Sequence, residues 1–175
     1  MVRGLASITF VYVPREDRIV AAINAGRPEA WSCWLTRRLA LAVLDRANEY
    51  LASRSDLAQR APAQFRGDAI AFERDAAIAK TAPAMSVTPP AILQTSASAA
   101  ELADRLTISQ LREGFRLELY GLGGEGAAGT VKRDELQRIL QMLQAEVAKA
   151  GWAVPPPQPQ SGPAAAASGP KPVRN

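Results

Sequence analysis

The sequence has 175 residues, of which 47% are hydrophobic and 22% are charged, enough apolar content for one compact domain, or two small ones sharing a core, without a disulfide. The net charge of +4 permits an anionic partner without requiring one. One cysteine and no histidine exclude an internal disulfide, a Cys–His nucleophile and a metal site of nitrogen and sulfur ligands. Seventeen of the 21 basic residues are Arg, which is typical of a GC-rich bacterial genome.

The N-terminal residues predict a three-stranded meander. Residues 7–13 favour a strand, a polar turn precedes a second apolar run at 19–23, and residues 31–36 alternate as a third strand would. The first apolar stretch is rich in β-formers and is followed at once by Pro14 and charges, so we interpret it as a strand and not as a signal peptide. No run approaches the roughly 18 apolar residues of a membrane span. We therefore expect a soluble, cytoplasmic protein without a membrane partner.

Two helices and a linker are predicted next. Thr36 suits an N-cap, and the apolar side chains between Leu39 and Leu51 fall on one helical face. A second helix is predicted at 63–80, with a thinner apolar stripe. The sequence thus predicts an N-terminal βββαα unit at residues 1–80. Residues 81–100 are rich in Ala, Ser, Thr and Pro and predict a linker that includes a short strand at 92–95.

A second unit, of βββα type, is predicted at residues 101–152. Strands at 106–111 and 115–120 flank a charged turn, and a Gly-rich loop and a short apolar segment at 130–131 come after them. Apolar residues from Leu136 onward recur at i, i+3, i+4 and i+7, which predicts a helix that ends at Gly151. We expect this unit to pack on the first.

The two halves share the same predicted order of strands, loops and helix. Three pairs illustrate the alignment: Ile19 with Phe115, Leu35 with Val131, and Arg37 with Arg133. This favours a duplicated βββα unit. The expected fold class is therefore α+β, an antiparallel β-meander plus an amphipathic helix, occurring twice.

The last residues, 153–175, predict a disordered tail. They contain seven prolines and four consecutive alanines, a composition that cannot form a core. Residues 155–159 include a P-x-x-P spacing that polyproline-binding domains recognise, although a solvated spacer is the favoured interpretation.

Motif searches give no catalytic equipment. Gly121, Gly123 and Gly126 satisfy G-x-G-x-x-G, but the next helix cannot begin before about Arg133 and Glu125 would repel a phosphate. A hairpin loop is the better interpretation. The carboxylates are separated along the chain and the lysines lie in polar contexts, so we expect no enzyme, no metal and no cofactor.

Aromatic and arginine side chains concentrate near the first predicted sheet, a combination suited to contact surfaces. The residues are Tyr12, Arg18, Trp31, Trp34, Arg37 and Arg38. Alternation places Trp31 and Trp34 on opposite faces of their strand. The leading hypothesis is a non-enzymatic protein-binding or accessory module that binds a protein partner or itself as a homodimer. The alternative is a protein that binds single-stranded DNA or RNA through the same sheet and its dispersed arginines.

Overall fold

The computed structural model describes residues 1–81, 97 and 99–152, which form seven strands and four α-helices. The strands are β1 (Val2–Gly4), β2 (Ile8–Val13), β3 (Arg18–Ile23), β4 (Trp31–Leu35), β5 (Glu101–Leu111), β6 (Gly114–Gly121) and β7 (Gly126–Val131). The helices are α1 (Arg37–Ser53), α2 (Asp56–Arg60), α3 (Arg66–Thr81) and α4 (Arg133–Lys149), with a 3₁₀ turn at Ala63–Phe65. The α+β class predicted from the sequence is confirmed.

All seven strands belong to one mixed sheet with the order β1-β7-β6-β5-β4-β3-β2. β2, β3 and β4 form one antiparallel meander, and β5, β6 and β7 form another. The two meanders meet through a parallel pairing of β4 with β5, and β1 pairs parallel with β7. β5, the first strand of the second meander, therefore starts beside β4, the third strand of the first. In the same way β1, which leads into β2, lies beside β7.

The two ends of this sheet are close together in space. β1 and β2 lie at opposite ends of the strand order, yet only residues 5–7 separate them. Such a connection spans at most about 14 Å, so the sheet has to curl. Leu5 N donates to Ala128 O of β7 at 2.9 Å, and Asn24 N, just after β3, donates to Ser7 O at 3.0 Å. The connector thus bonds to β7 on one side and to the residue after β3 on the other. It joins the two ends of the sheet, which closes in the manner of a barrel.

The two halves correspond closely. α1 and α4 both have 17 residues, and residue n of α1 corresponds to residue n + 96 of α4. Ile19 pairs with Leu35 just as Phe115 pairs with Val131. Because the β2–β3 turn is longer than the β5–β6 turn, residue n of β2 corresponds to residue n + 98 of β5. Each half therefore contains a three-stranded antiparallel meander that is followed by a 17-residue helix.

One hydrophobic core joins the two halves. Its side chains come from the strands and from α1 and α4, including Ile19, Ile23 and Leu136, each completely buried. The predicted cap is present, since the Thr36 hydroxyl accepts from Leu39 N at 3.2 Å. No helix in the described part of the chain has the length and apolarity that a bilayer span requires.

Several boundaries differ from the prediction. β5 begins at Glu101, earlier than expected, and β7 takes in Gly126–Val131 where only residues 130–131 were expected to be extended. Ala and Gly residues dominate β7, so its sequence lacks a strand signal and its pairing with β6 decides its conformation. The predicted strand at 92–95 and the predicted tail at 153–175 lie outside the described residues.

Candidate functional site

Trp31, one of the predicted contact residues, is engaged inside the molecule. Its Nε1 donates to Glu101 Oε1 at 2.9 Å, and Glu101 Oε2 accepts from Gly123 N at 2.6 Å. Gly121 makes room for this carboxylate, because a Cβ there would lie 2.1 Å from Glu101 Cδ. Trp31 therefore ties β4 to β5 and to the Gly-rich loop, which is the hairpin loop expected from the sequence.

Tyr12 is also held by internal contacts. Its ring packs edge-on against Trp152 with centroids 5.8 Å apart, and Trp152 is only 2% exposed. The Tyr12 hydroxyl donates to Asp17 Oδ1 at 3.1 Å, and Trp152 Nε1 donates to the same oxygen at 3.0 Å. Desolvation and the Asp17 carboxylate raise the pKa of the Tyr12 hydroxyl, so it remains a donor at neutral pH. Tyr12 therefore links β2 to the β2–β3 turn and to the residue that follows α4.

The other four predicted residues lie elsewhere. Trp34 pairs with Val20 and lies, with Arg18, on the face of the sheet opposite to Tyr12 and Trp31. Arg37 and Arg38 are the first two residues of α1. Val20 is 1% exposed, so this face is not an open platform for stacking. The structure therefore places two of the six residues on each face of the sheet and the other two on a helix. Within the described ranges, Arg18 and the two helix arginines have no ion-pair partner.

An open apolar groove of about 360 Å³ lies between α1 and β5. Its apolar lining consists of Leu39, Ala42, Val43, Ala47, Tyr50, Leu106 and Ile108. The helix side of the groove is the margin of the apolar face predicted for α1. β4 pairs with β5 only at Glu101 and Leu102, so the rest of β5 has no strand neighbour on this side among the described residues.

The corresponding groove, between α4 and β2, is closed. Phe10 and Leu143 stand there at the positions that Ile108 and Ala47 occupy in the open groove. Phe10 and Leu143 are larger than the residues they replace, and both are buried. Trp152, located just after α4, is buried against Tyr12 and Asp17 at the turn end of this groove. Smaller side chains and the lack of a covering aromatic residue therefore explain why the groove beside β5 stays open.

Backbone groups at the two strand edges also differ. At the closed edge, Tyr12 N donates to Glu146 Oε2 at 2.8 Å. Tyr50 stands at the position of Glu146, and its hydroxyl contacts the side chain of Gln110, the counterpart of Tyr12. The backbone N–H of Gln110 thus points toward the groove, where the described part of the chain supplies no acceptor.

A basic rim borders the open end of the groove. Its charged residues are Arg54, Asp56, Arg112, Glu113, Lys132 and Arg133. Arg133 is already paired with Glu73 at 3.1 Å, and Arg54 lies over the Tyr50 ring at 5.8 Å from its centroid. Arg46 adds a cation to the groove itself. The rim therefore has an excess of positive charge beside an apolar space.

The described residues offer no activated nucleophile at this site. Cys33 is fully buried, and burial, with a smaller contribution from the Glu101 charge, raises the pKa of its thiol to about 12. The thiol is therefore protonated at neutral pH. Within residues 1–81, 97 and 99–152, no three His, Cys, Asp or Glu side chains converge as metal ligands.

Comparison with known proteins gives no relative for this chain. No family model, curated protein or solved structure matches it. The groove and its rim are therefore the features from which a function can be inferred.

Proposed function

We propose that this is a non-enzymatic protein-binding or accessory module whose contact surface is the groove between α1 and β5. The observation that carries the proposal is the difference between two corresponding grooves in one chain. The groove beside β2 is occupied by the buried side chains of Phe10 and Leu143 and is covered at its turn end by Trp152, whereas the groove beside β5 leaves Leu106 and Ile108 partly exposed. An apolar space with a polar rim is the usual anatomy of a protein contact.

The proposed surface differs from the sheet surface expected from the sequence. Tyr12 and Trp31 make internal contacts, so they are not available to a partner without disrupting the fold. The groove instead presents Tyr50 beside Arg54, which is the kind of aromatic and arginine pair that dominates binding energy at interfaces. We place this activity in the cytoplasm, where the single buried thiol of Cys33 needs no partner.

Photo-crosslinking tests this proposal. Benzoylphenylalanine replaces Thr107, an exposed residue on the rim of the groove, in cells that produce the protein. We expect irradiation to yield a defined crosslinked species, either with one other polypeptide or at twice the mass of the chain. The crosslinked polypeptide, purified alone, should bind the full chain in calorimetry, since the groove is preformed.

The same photoreactive residue at Leu122, 65% exposed in the loop after β6, is the matched control. It lies away from the groove and should give no such product. Identical products at both positions, or no product at Thr107, would contradict the proposal.

Binding of single-stranded nucleic acid is the second candidate function. It is supported by Arg18, Arg37 and Arg38, which have no ionic partner among the described residues, and by the first turn of α1, which has no acidic residue. We expect Arg37→Glu with Arg38→Glu to weaken binding of a labelled thymidine oligonucleotide at least about tenfold in fluorescence anisotropy, most strongly at low salt. Arg60→Glu with Arg66→Glu, also exposed, is the control. Absence of binding by the unmodified protein at low salt rejects this candidate.

A further inference from the structure

We infer that the groove takes an extended, acidic segment of a partner protein, which adds as a strand along β5 between Leu106 and Gln110. This inference rests on the proposed function and specifies what the same site recognises. Three features carry it: the unpaired strand edge, the space beside it and the charge of its rim.

The first feature is the edge of β5. β5 and β6 are joined by a two-residue turn between Leu111 and Gly114. In such a hairpin the residues that flank the turn bond to each other, so Leu106, Ile108 and Gln110 direct their backbone groups away from β6. Beyond the short contact with β4, the described chain pairs no strand with these groups. An extended peptide backbone is the partner that satisfies them.

The second feature is the precedent within the same chain. At the corresponding edge of β2, Tyr12 N donates to the Glu146 carboxylate, and the Trp152 ring fills the adjoining space. At this edge of β2, a backbone N–H thus donates to a carboxylate, and a large aromatic side chain packs beside it. The groove beside β5 has Tyr50 in place of Glu146 and no covering ring. A partner segment that supplies both groups would complete it in the same way.

The third feature is charge. Arg46 in the groove and Arg54, Arg112 and Lys132 on the rim outnumber the two rim carboxylates, Asp56 and Glu113. The remaining positive charge favours a segment that carries Asp or Glu. The chain itself is a poor source of such a segment. Residues 82–96 and 153–175 contain no Asp or Glu, and a second copy carries the same net charge of +4. The proposed occupant is therefore an acidic segment of a different protein.

A displayed library of random peptides, selected on the full-length protein, tests this inference. We expect the enriched peptides to alternate apolar and polar residues and to carry Asp or Glu toward one end. A synthetic peptide of the enriched sequence should slow hydrogen exchange at the amides of Leu106, Ile108 and Gln110, because those amides become donors to the added strand.

Two variants assign the binding to the groove. Ala42 lines it and is partly buried, so Ala42→Trp should fill the space and weaken the peptide at least about tenfold. Ala145→Trp, the same change on an exposed position of α4, should leave binding unchanged. Arg112→Glu, in the exposed turn, keeps the fold and should weaken acidic peptides by a similar factor.

The outcomes separate this inference from the proposed function. If no peptide is enriched, if enriched peptides lack acidic residues, or if they bind Arg112→Glu undiminished, strand addition is overturned. Photo-crosslinking at Thr107 would then still show whether a protein contacts the groove in another manner. If Thr107 gives no crosslinked product and no peptide is enriched, both the proposed function and strand addition are rejected.

Discussion

Replacement of Asn24 by Ala is expected to lower the free energy of unfolding by about 3 to 4 kcal/mol. Asn24 is 2% exposed and lies where the sheet closes. Its Oδ1 accepts from Ala6 N at 2.9 Å and Ser7 N at 3.1 Å, and its Nδ2 donates to Gly4 O at 2.7 Å. The side chain therefore holds the connector between β1 and β2.

Two terms contribute to this loss. Each of the three hydrogen bonds contributes about 1 kcal/mol net. Asn24 also has φ +50°, a left-handed conformation that costs Ala roughly 1 kcal/mol more than Asn or Gly. Urea unfolding followed by circular dichroism measures the sum, with the slope against denaturant as a check on two-state behaviour.

Asn24→Gly separates the two terms. It accepts the positive φ but lacks the three hydrogen bonds, so it should be about 1 kcal/mol more stable than Asn24→Ala and still well below the unmodified protein. Equal stability of Asn24→Gly and the unmodified protein would mean that the hydrogen bonds contribute nothing to closure.

The sequence predicted the regular parts of this fold because they rest on local periodicity. The apolar repeat from Leu136 onward and the Thr36 cap identified α4 and the start of α1 without knowledge of their neighbours. The alignment of Ile19 with Phe115 also identified the repeated topology. These features depend on residues close in sequence, which a single sequence displays directly.

Closure of the sheet and the open groove could not be predicted in the same way. Asn24 is an ordinary turn residue by type, and its role depends on backbone groups of residues 4–7. Pairing of β2 with β3 and of β1 with β7 brings those groups near it. The groove depends on the size of Ala47 relative to Leu143 and on whether an aromatic residue stands just after each helix. The alignment of Arg37 with Arg133 does place Ala47 at the position of Leu143, but it does not show that either residue lines a groove beside a strand edge.

The predicted site residues illustrate the same limit. Trp31 and Tyr12 are residue types common on contact surfaces, yet each finds a partner distant in sequence once the sheet forms: Trp31 bonds to Glu101, and Tyr12 packs against Trp152. An aromatic residue on a strand is consistent with either role, because alternation assigns it to a face but not to a partner. The groove that stays open is lined mainly by aliphatic residues, with Tyr50 as its aromatic residue.

Trp152→Ala is expected to lower the free energy of unfolding by about 3 to 5 kcal/mol, the range for truncation of a buried aromatic residue. The substitution removes a ring that is 2% exposed, its edge-on contact with Tyr12 and its hydrogen bond to Asp17. It should also open the groove beside β2, making it resemble the one beside β5. Thermal and urea unfolding of the purified variant give the size of the loss.

Two comparisons make the Trp152 experiment specific. Trp152→Phe keeps an aromatic ring but loses the hydrogen bond and part of the volume of the indole, so it should cost about 1 to 2 kcal/mol, less than Trp152→Ala. Indole added to Trp152→Ala should raise its melting temperature, because an apolar cavity binds a ligand of matching shape. Indole should leave the melting temperature of the unmodified protein unchanged, because Trp152 already occupies that site. A loss below about 1 kcal/mol for Trp152→Ala would show that this groove does not depend on its covering ring, and the contrast that identifies the open groove as a binding site would fail.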